Sequence, residues 1–184
     1  MTEKLTMRLA APAEAARVMA ILEDGKRSIA RFGIEQWQHG YPDLASVERD
    51  LACDACWVAE DESGALVGTL ALRFDSDPEY SAPDLTWLTP NTTPDGTPTY
   101  AAIHRCATAA EALKRGVMGF MFNAAEDVAR NAGRTSLRID THPGNEAMRS
   151  FLTRHGFTEL ERFELKTKSN DETDLTRITY EKLV

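Results

Sequence analysis

The chain has 184 residues, 42% of them apolar and 27% charged, a globular balance that excludes a fibrous or low-complexity protein. A single domain over residues 1–184 fits that length, and such a chain buries roughly 70% of its unfolded surface, so its core needs no metal or disulfide. The net charge of −8 repels phosphate and argues against nucleic acid as a partner.

No run approaches the ~20 apolar residues of a membrane span, and Met1–Leu9 has no apolar signal segment. A cytoplasmic protein without a membrane partner is expected. Three cysteines, Cys53, Cys56 and Cys106, cannot all pair within one chain. Cys53 and Cys56 spell C-x-x-C, but no second pair of ligands follows at zinc spacing. The motif also sits between a polar helix and a strand, not at a helix start after a strand. It reads as two small residues at a helix end, and no metal site is expected.

Leu5–Leu9 is a first strand. Pro12 suits a first helical turn, where its missing N–H costs nothing, and Val18, Leu22, Ile29 and Phe32 recur at helical spacing until Gly33. Asp43–Ala52 is a second, short helix. Strands over 57–60 and 66–74 flank the turn cluster Asp61–Gly64 and form a hairpin. Residues 75–99 hold five of the eight prolines, which cannot donate to a sheet. A loop of that length in a compact domain reads as a lid or a mobile segment. Tyr100–Thr108 is a nearly continuous apolar strand, expected to be buried on both faces.

Val117, Met121, Ala125, Val128 and Ala132 mark a helix stopped by Gly133. Ser136–Thr141 is a strand. Met148, Phe151, Leu152 and His155 stripe another helix, with Gly156 and Phe157 as its stop. Strands over 158–167 and 175–182 flank a polar turn at Ser169–Asp174. The order β-α-α-β-β-β-α-β-α-β-β defines an α/β or α+β sheet with packed helices. The last two strands offer a sheet edge through which a homodimer can form.

The informative unit is strand 100–108 running into Lys114-Arg115-Gly116-Val117-Met118-Gly119 and then a helix. A helix start offers free N–H groups and partial positive charge. Glycine lets a diphosphate approach closely, and Lys114 and Arg115 add cationic side chains. Downstream, Arg138–Thr141 leads into His142-Pro143-Gly144-Asn145-Glu146-Ala147-Met148, and that helix ends at His155-Gly156-Phe157.

In this order the sequence resembles the GNAT (Gcn5-related) N-acetyltransferases over nearly the whole chain. Gln36–Pro42 and Ile103–Ala107 are similar to a bacterial branch of that family. The resemblance implies a single mixed, mostly antiparallel sheet with helices on both faces. It also implies acetyl-CoA as cosubstrate and a primary amine of a small molecule as acceptor, attacking directly in a ternary complex. The family's Gln/Arg-x-x-Gly-x-Gly/Ala turn falls on Leu113–Met118, where only Gly116 is in register. Met118 replaces a small residue and Gly119 follows at once. The strand backbone at Cys106, Ala107 and Thr108 is implied to pair with the pantetheine arm near a bulge, and Asn145 and Met148 occupy the family's Asn-x-x-Ala/Met positions. Where many members carry a tyrosine that protonates the leaving thiolate, this chain has Leu152, which has no proton to give.

An amine that is mostly protonated at neutral pH needs a base. His104, four residues before Thr108, is the candidate, since imidazole titrates near neutrality and the matching strand of arylalkylamine N-acetyltransferases is similar in carrying a histidine. The alternative is a histidine bonded within the sheet. His142 reads as a residue that fixes its loop, and Arg105 and Asp140, on neighbouring strands, as a structural pair. Cys106 lacks a positioned base and reads as a small buried residue. Asn145 serves the cofactor, caps its helix, or does both. Trp37, Gln38 and Tyr41 border the expected acceptor pocket, where rings can hold an aryl or cationic amine, or else they pack the helix corner. Trp87 is placed to close over the site from the proline-rich loop. A noncatalytic acetyl-CoA-binding protein and a protein-modifying acetyltransferase remain alternatives.

Overall fold

The computed structural model describes residues 4–82, 84–166 and 171–184. Seven strands form one sheet in the order β1-β2-β3-β4-β5-β7-β6. They are β1 (Thr6–Leu9), β2 (Cys56–Glu60), β3 (Leu66–Arg73), β4 (Tyr100–Thr108), β5 (Ser136–Thr141), β6 (Thr158–Glu164) and β7 (Thr176–Leu183). The helices are α1 (Ala15–Ala30), α2 (Leu44–Ala52), α3 (Val117–Asn131) and α4 (Glu146–Arg154). All pairings are antiparallel except β4 with β5.

Local chemistry explains the boundaries. A 3-10 turn at Pro12–Glu14 leads into α1, and Arg8 links it to the sheet by bonding both Glu14 and Glu60 at 2.7 Å. Asp43 caps α2 by accepting from Ser46 N–H at 2.8 Å. Asp61 closes the β2–β3 turn by accepting from Ser63 N–H and Ala65 N–H. Gly68 of β3 is needed for close approach: a Cβ there would lie 2.7 Å from Val117 and 2.8 Å from Met121, so its absence lets α3 lie against the sheet.

The helices divide between the faces. Ala107, paired with Thr69, touches Gly25 of α1. The neighbouring Gly68 meets α3, and α4 joins α3 through the edge-on Phe122–Phe151 contact. Val18, Ile21, Leu22, Val58, Leu70, Met121, Phe122, Leu137 and Leu152 lie in the main core, each no more than 1% exposed.

Two expectations change here. Of the last two strands only β6 is at an edge, and Glu159, Glu161, Arg162 and Glu164 charge it, which disfavours strand pairing. β6 ends at Glu164, three residues short of its expected end, and the expected turn falls partly outside the described residues, at Ser169 and Asn170. The described residues of 75–99 contain no strand but are fastened down, not left as a lid. Tyr80 is fully buried with Tyr100 and Ala102. Arg138, itself 0% exposed, lies 4.2 Å from the Trp87 ring and 4.0 Å from the Tyr100 ring. It donates to Asn91 Oδ1, Thr89 O and Glu181 Oε1 at 2.6, 2.8 and 3.0 Å. A buried guanidinium needs all its donors met, and the loop meets most of them.

Candidate active site

Strands β4 and β5 pair only at Tyr100–Ser136, Ala101–Leu137 and Ala102–Arg138. Beyond Ala102 they separate. From Ile103 to Thr108 the β5-facing edge of β4 is therefore an open backbone edge inside the sheet, suited to a ligand with amide groups. On its other side β4 carries a bulge: Thr69 opposes Ala107 and Ala71 opposes His104, so Arg105 and Cys106 share the place opposite Leu70. Arg105 has φ +46°, and an extra residue of this kind redirects side chains next to functional sites.

A cavity of about 590 Å³ opens at this split, within the range of small-molecule sites. Ile103 and His104 both line it, as do Ile139 and Asp140. Consecutive strand residues point to opposite faces, so residues of both faces of β4 and β5 border the cavity. Cys106, Asn145 and Met148 line it together with Trp37, Tyr41, Asp77 and Tyr80.

Outside the cavity lining, Gly116 precedes α3 at φ +80°. The first bond of the helix is Phe120 N–H to Gly116 O, 3.0 Å, which leaves the N–H groups of the opening turn for a ligand. Lys114 is exposed, and Arg115 contacts Asp61 at 3.2 Å. Val117 is buried on Gly68, and Met118 packs against the core. Gly119 meets α4, since a Cβ there would sit 3.0 Å from His155. Asn145 caps α4 by accepting from Met148 N–H at 3.2 Å, and it also lines the cavity. Leu152 is 0% exposed in the core and adds no group to the cavity.

In the cavity wall, His104 Nε2 lies 3.0 Å from Asp77 Oδ2, close but out of line for a hydrogen bond. Burial opposes ionisation of Asp77, but His104 and the N–H groups of Glu79 and Tyr80 outweigh it and hold the carboxyl below its usual range. Tyr80 stacks on His104, with centroids 5.6 Å apart, and its hydroxyl donates to Asp140 Oδ2 at 2.7 Å. Burial raises the pKa of Asp140 against the pull of His104 and Tyr80.

Arg105 does not pair with Asp140. The bulge turns it toward α2, where it forms a two-point pair with Asp50 at 2.6 Å and donates to Tyr41 Oη at 2.7 Å. Asp140 instead faces Arg177 Nε at 3.6 Å. Trp37 lines the cavity and also packs on Gly25, where a Cβ would come within 3.1 Å of its ring. Gln38 is not brought to the cavity; its amide donates to the carbonyls of Lys26 and Gln36. Trp87 is not brought there either. Its ring covers Arg138 and its Nε1–H donates to Tyr80 O at 2.9 Å.

His142 is committed to structure. Nδ1 accepts from Gly144 N–H at 2.9 Å and Nε2 donates to Asp174 at 2.8 Å. Burial pushes the Cys106 thiol up to about 12, which keeps it protonated and poorly nucleophilic. Among the described residues no cluster of His, Cys, Asp or Glu could hold a metal, and no helix is long and apolar enough to cross a membrane. The sequence reading missed Asp77, Tyr80 and Gln36. Asp77-Pro78 is a turn-starting pair, the one local signal for the first two. Gln36 closes the wall, its Oε1 accepting from His142 N–H at 3.3 Å.

The structure thus offers an open strand edge, a helix start with free N–H groups and a cavity lined by ionisable residues. The chain belongs to the acetyltransferase (GNAT) family, whose model matches residues 17–157. Among solved structures it is similar to a GNAT-family acetyltransferase from Streptococcus agalactiae, with 26% identity, TM-score 0.79, and 98% of this chain and 95% of that one covered. It shares its fold with a ribosomal-protein-alanine N-acetyltransferase from Brucella melitensis (18% identity, TM-score 0.67, 97% and 99% covered). A spermidine N-acetyltransferase chimera from Vibrio cholerae also has this fold (14% identity, TM-score 0.65, 97% and 95% covered). The comparison with curated proteins returned no match.

Proposed function

We propose that the protein is an acetyl-CoA-dependent N-acetyltransferase that modifies a primary amine of a small molecule by direct attack in a ternary complex. The observation that carries this reading is the cavity itself, which joins the open edge of β4 to the His104–Asp77 pair. Family membership supports acyl transfer.

The residues present fit acetyl-CoA, which when bound supplies the activated acetyl group. The opening turn of α3 from Gly116 to Gly119, with Lys114 and Arg115, suits a diphosphate. The backbone of Cys106–Thr108 suits the amides of the pantetheine arm, with Asn145 and Met148 across the cleft. A β4 N–H beside the bulge can face the carbonyl oxygen and stabilise charge that grows there. His104 accepts the proton of the amine. Trp37 and Tyr41 bound the space for the acceptor, and holding both reactants in one cavity supplies much of the rate.

Proteins of this fold act on acceptors as different as a ribosomal-protein alanine and spermidine, so the fold does not choose the amine. The cavity size and its aromatic wall favour a small molecule. The cytoplasm is the proposed location, with neither nucleic acid nor membrane as partner. Burial of Leu152 favours one second reading, a protein that binds acetyl-CoA without turning it over. The test is release of free thiol from acetyl-CoA against polyamines, arylalkylamines and amino acids. Release that depends on one class of amine is the expected result. No release with any amine, while acetyl-CoA still raises the melting temperature, would move the assignment to the binding protein.

A further inference from the structure

We propose that Asp77 is a positioning residue that holds His104 as its Nε2–H tautomer and so leaves Nδ1 as the atom that accepts the amine proton. This rests on the acetyltransferase reading above. The orientation of Asp77 is fixed from three sides. Its Oδ1 accepts from Glu79 N–H at 2.8 Å and Tyr80 N–H at 3.3 Å, and its own N–H donates to Tyr100 Oη at 2.8 Å. Oδ2 is thereby left facing His104 Nε2 at 3.0 Å, with both side chains largely buried at 15% and 20% exposed.

The Tyr80 ring, stacked at 25° to the imidazole, limits how that ring can turn. The titratable groups facing His104 are Asp77 and Tyr80 from the loop and Asp140 from β5. Tyr80 spends its proton on Asp140, so Asp77 is the carboxylate left to act on Nε2. No described residue bonds His104 Nδ1, and the ring lines the cavity.

The chemistry then follows from the atoms. An ionised carboxylate only accepts hydrogen bonds, so the nitrogen beside it must carry the proton and the other keeps its lone pair. The contact is out of line as it stands, and catalytic contacts of this kind often tighten only in the complex with substrate. As the amine nitrogen bonds to the acetyl carbonyl carbon, the C–S bond breaks, the electron pair leaves on sulfur and the amine proton passes to Nδ1.

Asp77→Asn is the discriminating variant. Its Oδ1 can still accept from Glu79 and Tyr80, so the turn is kept. Its NH₂ group would then face Nε2 and donate, forcing the proton onto Nδ1 and removing the base. Nitrogen-15 spectra of the His104 ring at mildly alkaline pH should show Nε2–H in the native protein and Nδ1–H in Asp77→Asn. Acetyl transfer should fall by about 10²-fold or more, with acetyl-CoA affinity changed less than about twofold. Nδ1–H in the native protein would overturn the proposal, even if the variant failed to fold. So would Asp77→Asn with the native rate or the native tautomer. The spectra need no turnover, so an inactive native protein showing Nε2–H would refute the acetyltransferase reading while upholding the Asp77–His104 geometry.

Discussion

Removing the Glu181 carboxylate is a stringent test of how the proline-rich segment is held to the sheet. Glu181 and Arg138 side chains are both 0% exposed. Glu181 Oε1 accepts from Arg138 Nε at 3.0 Å, Ser136 Oγ at 2.6 Å and Thr89 Oγ1 at 2.5 Å. Its Oε2 accepts from the N–H groups of Leu88 and Thr89. Glu181→Ala therefore leaves a buried guanidinium without its counter-charge and two loop N–H groups without an acceptor. Breaking such a pair costs about 3–5 kcal/mol. In a chain of this length each kcal/mol moves Tm by about 2–4 °C, so Tm should drop by about 6–20 °C.

The segment 86–91 should also become more open to protease, since the pair anchors it. A double variant, Arg138→Met with Glu181→Leu, removes both charges together. It should recover part of the loss, because the uncompensated buried charge is gone while the N–H groups of Leu88 and Thr89 still lack their acceptor. Thermal and urea unfolding of the three variants provide the measurement. A Glu181→Ala protein within about 1 kcal/mol of native stability would refute the reasoning. A double variant no better than the single would show that the unpaired charge was not the cause.

Three further outcomes are expected. Gly116→Asp places a carboxylate where the diphosphate is proposed to bind, at φ +80°; by calorimetry it should weaken acetyl-CoA at least about tenfold, roughly 1.4 kcal/mol, and more than Gly116→Ala does. Hydrogen bonds from Arg8 hold Glu14 down to about 2 against an ordinary value of 4.5, so this link stabilises the fold above about pH 5 and is lost as pH falls toward 2. Because the pair is partly exposed it is worth only about 1 kcal/mol, and Glu14→Gln should unfold earlier at pH 7 but lose less stability on acidification. Burial keeps the Cys56 and Cys106 thiols protonated, at about 11 and about 12, while Cys53 is exposed. A disulfide reagent should therefore titrate one thiol in the folded protein and three after denaturation, and Cys106→Ser should retain acetyl transfer.

The element order was legible because α1, α3 and α4 announce themselves in apolar spacing and are followed by glycines. Val117, Met121 and Ala125 face the sheet as their period requires, and Gly133 and Gly156 follow their helices at positive φ. The strand, glycine and helix start over 100–119 were legible too, because they adjoin in sequence. The surroundings of His104 were not. Strand alternation cannot show the bulge that turns Arg105 to Asp50 and away from Asp140. Asp77 and Tyr80 lie in a proline-rich stretch with no period to read, and bonds to the distant Tyr100 and Asp140 hold them beside His104. Trp87 looked like a lid residue in sequence, but the guanidinium beneath it gives its ring a structural role.

The central claim is that two parts of the proposed site do different work: the start of α3 and the open edge of β4 hold acetyl-CoA, and His104 takes the proton from the amine. The most direct measurement compares native protein and His104→Ala for amine-dependent thiol release, with acetyl-CoA affinity determined on the same samples. The account predicts a turnover lower by about 10²–10⁴-fold with affinity unchanged within about twofold. Equal turnover, or a loss of affinity matching the loss of rate, would contradict it.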